Sequence, residues 1–154
     1  MKWLAQNSTD NLPRKELLVL GGPSKRGKTQ FVLDLFPPKK VLELSCAGLK
    51  DVCLTGFDAL LHQCIIWDEG TPHLVAKNRK VFQHPASWVD LGHSPTAQHV
   101  YHVYLNDSVS VVATNCWREE VVKLSSADQD WLAEKRLVLS VTSPLWKAPP
   151  AVLV

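Results

Sequence analysis

Apolar residues in this chain gather in short runs separated by turn-forming residues. Glu16-Leu17-Leu18-Val19-Leu20 is the first, stopped by Gly21-Gly22. Lys40-Val41-Leu42-Glu43-Leu44, Cys64-Ile65-Ile66-Trp67, Val109-Ser110-Val111-Val112-Ala113-Thr114-Asn115 and Leu137-Val138-Leu139-Ser140-Val141 follow. Runs this short and this continuous predict strands buried on both faces, as in a parallel sheet covered by helices. Between them, Gln30–Leu35 reads as a helix that Pro37-Pro38 ends, and Phe57–Gln63 as a second helix after Thr55-Gly56. Residues 71–82 predict a third, with Thr71 as N-cap and Pro72 at the first helical position. A fourth starts at Ser125-Ser126-Ala127-Asp128 and runs to about Arg136. Ser87–Leu91 and Gln98–Leu105 alternate around a Gly/Ser/Pro turn, which predicts a β-hairpin. The pattern is that of an α/β domain: a mainly parallel five-stranded sheet flanked by helices, with an inserted β-hairpin. It spans residues 16–142, after a turn-rich lead-in at 1–15 and before a tail at 143–154 that prolines are expected to leave loose.

Composition narrows the setting. The 154 residues favour one domain, and 45% apolar with 21% charged is ordinary for a globular chain. No apolar run approaches the ~18 residues that cross a bilayer, and Met1–Asn7 turns polar too early for a secretion signal. Cys46, Cys53, Cys64 and Cys116 are scattered without a C-x-x-C pair, so neither a zinc knuckle nor a redox motif is expected. An intracellular location, nuclear or cytoplasmic, with no membrane partner, is the expectation. His99 and His102 fall three apart on a strand, which points them to opposite faces and argues against a shared metal. A net charge of +2 means that nucleic-acid binding would need a local site, such as Lys77-Asn78-Arg79-Lys80.

The chemistry concentrates at Gly22-Pro23-Ser24-Lys25-Arg26-Gly27-Lys28-Thr29, which fits G-x-x-x-x-G-K-[ST], the Walker A phosphate-binding loop. A buried strand precedes it and a helix follows it, the order that phosphate binding requires. Backbone amides at the helix start, from the loop through Gln30, are expected to converge on an anion that the helix dipole favours. Lys28 would reach the β- and γ-phosphates, and the Thr29 hydroxyl would sit on magnesium. A glycine-rich turn with a solvated lysine is the plainer reading, and the flanking strand and helix weigh against it.

Cys64–Trp67 ends in Asp68-Glu69-Gly70, the shape of a Walker B strand. Asp68 is expected at the carboxyl end of the strand beside the loop strand, holding magnesium through its water shell. Glu69 would orient or deprotonate the attacking water. An apolar run ending in acidic residues is weak evidence alone; downstream of a Walker A loop it gains force.

This succession of Walker A, second strand, Walker B, hairpin and an Asn-terminated strand resembles the superfamily 3 helicase core. It is most similar to the ATPase domain of Rep proteins from small circular single-stranded DNA viruses, over residues 16–142. The resemblance implies a P-loop NTPase fold of AAA+-like type, ATP and Mg2+ as cofactors, and ATP-driven work on single-stranded DNA or RNA in replication. It implies a homo-oligomeric ring, a hexamer, with Asn115 sensing the γ-phosphate and an arginine finger from the neighbouring subunit. Arg136 and Arg118 are the candidates for that finger. The hairpin tip of such motors tracks the nucleic-acid backbone, and His93 takes that place here, where a lysine would be usual; Lys77, Arg79 and Lys80 could add charge from the preceding helix. The viral proteins also carry a nickase domain, for which residues 1–15 leave no room, so the chain is expected to be a fragment or a stand-alone ATPase domain.

Two other readings stand beside it. A small P-loop kinase would usually show an Arg-rich lid between the Walker B strand and the last strand, where this chain has a hairpin poor in arginine. A degenerate nucleotide-binding module would be expected to lose one of Gly27, Lys28, Thr29, Asp68, Glu69 or Asn115, and all are present.

Overall fold

The continuous apolar runs become the strands of one parallel sheet. The computed structural model describes residues 2–7, 15–83, 87–92, 100–105 and 108–146. In chain order the elements are α1 (Lys2–Asn7), β1 (Leu17–Gly21), α2 (Lys28–Leu33), β2 (Val41–Ser45), β3 (Cys64–Asp68), α3 (Pro72–Lys77) and α4 (Arg79–Phe82). The hairpin strands β4 (Ser87–Leu91) and β5 (Tyr101–Leu105) follow, then β6 (Val109–Thr114), α5 (Trp117–Val121), α6 (Ser126–Lys135) and β7 (Arg136–Ser140). The five-stranded sheet runs β2-β3-β6-β1-β7 with every pairing parallel, while β4 and β5 form a separate antiparallel pair.

Alternation along the strands builds two cores, one on each face. Leu17, Val19, Ile65, Trp67 and Val112 pack with Leu74, Val75 and Phe82 of the helices after β3, with Trp117 and Leu132, and with Val89, Leu91 and Leu105 of the hairpin. Leu18, Leu20, Cys64, Ile66, Val109 and Val111 face the other way, onto Val32 of α2 and Trp3 of α1. Each of these fully buried side chains contributes about 1.5–3 kcal/mol relative to exposure. The central strand β6 is buried at every position.

Local signals account for several boundaries. The Thr71 hydroxyl accepts from Leu74 N at 3.2 Å and starts α3, with Pro72 next to it. Ser125 caps α6 in the same way, accepting from Asp128 N at 3.2 Å. The helix expected over 71–82 is interrupted at Asn78, whose backbone leaves the helical region and whose Nδ2 donates to Leu74 O at 2.8 Å.

Other expectations change. Residues 57–63 form turns, because the Asp58 carboxylate takes the Leu60 amide at 2.8 Å and His62 Nδ1 takes the Asp58 amide at 2.9 Å. Local side-chain acceptors of this kind compete with the helical ladder. The lead-in carries a helix whose Trp3 is 2% exposed and whose Nε1 donates to Glu16 O at 3.0 Å, so it is docked on the core. The Asp68 strand is not the neighbour of β1, because β6 lies between β3 and β1. Past β7 the chain stays against residues 21–27 as far as Trp146, which differs from the loose tail expected from residue 143. No helix among the described residues is long and apolar enough to cross a membrane.

Candidate functional site

Three adjacent strands, β3, β6 and β1, end on the same side of the sheet, and the residues just beyond them form the site. β1 delivers the glycine loop, β6 delivers Asn115, and β3 delivers Asp68 and Glu69. The loop is tied to its neighbours by backbone bonds: Gly22 N donates to Thr114 O at 3.1 Å, and Val141 N donates to Gly21 O at 2.7 Å. A Cβ on Gly22 would fall 2.2 Å from Val141 O, so only glycine lets the two segments pass this closely. Gly22→Ala is therefore expected to destabilise the fold by about 1–3 kcal/mol, the cost of overpacking against backbone. A fall in the urea unfolding midpoint checks it. At the other end of the loop, Gly27 has φ 76° and Lys25 has φ 57°, left-handed geometry that curls the chain back before α2.

Lys28 lies at the centre, 7% exposed. Its three ammonium protons have three acceptors: Gly22 O at 2.8 Å, Pro23 O at 2.8 Å and Asn115 Oδ1 at 3.0 Å. Burial lowers its pKa from the ordinary lysine value, and the charge of Asp68 pulls part of the way back. Thr29 Oγ1 donates to Asp68 Oδ1 at 3.4 Å, a long contact that joins α2 to the end of β3. Glu69 follows in the left-handed region at φ 57°, a conformation uncommon for a residue with a Cβ, and its side chain is exposed. Gly70 permits the turn, since a Cβ there would lie 2.8 Å from Val112 Cγ1.

A cavity of about 230 Å3 runs between these groups, lined by residues 24–30, Asp68, Glu69, Ala113 and Asn115. Its lining includes three cations, Lys25, Arg26 and Lys28, and two carboxylates, Asp68 and Glu69. Since α2 has only six residues, attraction for an anion rests on Lys28 and the loop amides more than on an extended helix dipole. Thr29 Oγ1 and the Asp68 carboxylate form a pair of hard oxygen donors, which fits magnesium. Among the described residues no group of three or more His, Cys, Asp or Glu could hold a metal ion. Behind Asp68, Cys46 N donates to Asp68 O at 2.7 Å. Burial, helped by the Asp68 charge, pushes the Cys46 thiol up to about 11, so it stays protonated and unreactive.

The other candidates scatter. Arg136 opens β7 opposite Leu17, while Ser140 lies opposite Gly21, which puts Arg136 about 13 Å along the strand from the loop. Its guanidinium sits over the Trp117 ring at 5.6 Å, and burial lowers its pKa. A finger offered to a neighbouring subunit needs an outward guanidinium, and Arg136 is held inward. Arg118 is exposed and donates to Ser140 Oγ at 2.6 Å, at the loop end of β7. Lys77 is paired with Asp51 at 2.7 Å, and Arg79 pairs with Asp128 and stacks on Trp131 at 4.8 Å, so their charges are largely matched. Lys80 is exposed beside the exposed Trp88, along a cavity of about 590 Å3 between α3–α4 and β4. His93 lies outside the described residues, as does His99.

Sequence reasoning passed over the segment after β7. Leu145 and Trp146 lie against Arg26 and Gly27. The signal was a lone tryptophan in a proline-rich tail, a large apolar side chain with no assigned partner. No protein-family model matches the chain, and no curated protein matches it.

Proposed function

We propose that the chain is a magnesium-dependent nucleoside triphosphate hydrolase with a P-loop, of superfamily 3 helicase type, that binds ATP and works on single-stranded nucleic acid as a homo-oligomeric ring. The observation that carries this reading is the joining of Lys28 to Asn115 and of Thr29 to Asp68, which gathers the four expected nucleotide-handling side chains around one small cavity.

In this reading the loop amides and Lys28 hold the β- and γ-phosphates, and Lys28 exchanges its protein acceptors for phosphate oxygens. Thr29 and Asp68 would hold a magnesium ion, which would supply neutralisation of the phosphate charge. Glu69 takes a proton from the water whose oxygen bonds to the γ-phosphorus, as the bond from that phosphorus to the bridging oxygen breaks and ADP leaves. Asn115, freed from Lys28, can donate to a γ-phosphate oxygen and accept from the water without adding charge. Arg118, exposed at the same end of the sheet, suits a partner-facing finger better than Arg136.

The test is ATP hydrolysis by the purified chain with and without single-stranded DNA or RNA, together with particle mass with and without MgATP. Turnover stimulated by nucleic acid in a hexamer supports the reading, and a monomer without turnover defeats it. Asn115→Ala is expected to lower turnover roughly tenfold, the worth of one well-placed hydrogen bond. Unchanged turnover in that variant removes Asn115 from the mechanism.

A further inference from the structure

Beyond β7 the chain turns back along the glycine loop. Val141 N donates to Gly21 O at 2.7 Å, and Leu145 N donates to Arg26 O at 3.0 Å. Trp146 then lies against Gly27, where a Cβ would fall 2.3 Å from its Cε3 and 2.4 Å from its Cζ3. Residues 141–146 therefore follow the loop from one end to the other. They set an indole beside Gly27, one of the residues that line the 230 Å3 cavity.

The indole is 49% exposed. A tryptophan used only to brace the loop would gain most by full burial, yet this one keeps half its surface in water while its backbone neighbour is hydrogen-bonded to the loop. The cavity is of a size for phosphates, so the rest of any nucleotide bound there must lie outside it. The flat, apolar face of a nucleobase is the chemistry that covers an open indole, through stacking.

We propose that Trp146 is the base-stacking residue of this site, and that it takes the purine or pyrimidine ring of a nucleotide whose phosphates lie at Lys28. The proposal rests on the nucleotide-binding reading and adds to it the residue that holds the base. It also gives the strap formed by residues 141–146 a role: it fixes the indole to the loop, so base and phosphates are held by one connected unit. Gly27 serves both functions, taking the left-handed turn and leaving room for the ring.

The experiment compares two probes on the wild-type chain, Trp146→Ala and Trp146→Phe: MgATP, and magnesium tripolyphosphate, which has the phosphates without a base. Affinities are read by titration calorimetry. Trp146→Ala is expected to weaken MgATP about tenfold or more and to leave tripolyphosphate unchanged, while Trp146→Phe keeps most of the ATP affinity. If Trp146→Ala binds ATP as tightly as the wild type, the stacking role is overturned. An equal loss for both probes also overturns it, because the ring would then only brace the loop. Wild-type protein that binds neither probe overturns the phosphate site itself, and the base site with it.

Discussion

Lys28→Ala is expected to lower kcat/KM for ATP hydrolysis by about 10²–10³-fold, the usual loss when one preorganised donor to developing charge is removed. Lys28 is the one cation of the site that is buried, and its three donors converge from a single nitrogen on the loop and on Asn115. The fold should survive the change. Pro23 and Asn115 are exposed and Gly22 is partly so, and water can take over the three acceptors. Urea unfolding within about 1 kcal/mol of the wild type, with turnover lost, is the expected pair of results. Glu69→Gln should separate the two roles by keeping MgATP affinity while losing turnover, since it removes a proton acceptor and no phosphate ligand. Hydrolysis undiminished in Lys28→Ala would sink the ATPase reading.

The lowered pKa of Lys28 adds a pH signature. Its ammonium is lost at a lower pH than that of an exposed lysine, so ATP affinity should decline on the alkaline side sooner than ordinary lysine titration predicts. Stability moves in the opposite direction. The unfolded chain holds this proton up to the ordinary value of 10.5, so between the depressed folded value and 10.5 the folded form gains as pH rises.

Trp67→Ala carries the largest expected cost to the fold, about 3–5 kcal/mol. The side chain is 1% exposed, packs on Phe82 with ring centroids 4.7 Å apart, and donates from Nε1 to Ser110 Oγ at 2.8 Å. It therefore pins β3 to β6 and both to α4, one residue before Asp68. A loss of this size takes a fifth or more of the ~5–15 kcal/mol that holds a domain together. The urea midpoint should fall steeply. Trp67→Phe, which keeps an aromatic ring and removes the Nε1 donor, should cost only about 1–2 kcal/mol. An unchanged midpoint in Trp67→Ala would mean that the neighbours collapse into the space.

Strand positions were legible because Leu17–Leu20, Ile65–Trp67 and Val111–Ala113 are continuous apolar runs, and a strand covered on both faces needs that pattern. Their order was not, because parallel buried strands look alike in sequence. Nothing in Val109–Thr114 says that it inserts between the strands that carry Gly22 and Asp68. The helix Trp117–Val121 was missed because it is short and three of its five residues are charged, leaving little apolar periodicity to read. Phe57–Gln63 looked helical by composition, and the acceptors on Asp58 and His62 decided otherwise. At the site, Lys28, Thr29, Asp68 and Asn115 could be named from motifs. The bond from Lys28 to Asn115, across 87 positions, comes only from the folded sheet. Spacing offered Arg118 and Arg136 alike, because it carries no information about which way a strand residue such as Arg136 is held.

The burial of β6 has a consequence for hydrogen exchange. Flanked by β3 and β1 and buried throughout, its amides have no local route to solvent. They should exchange only through global opening, whereas the half-buried edge strands β2 and β7 should open on their own at lower free energy. Asn115 thus follows the strand expected to exchange most slowly among the described ones. If the site binds and hydrolyses ATP as proposed, the accompanying motion should appear first as faster exchange in β7 and the segment after it, with the amides of Val111–Ala113 unchanged.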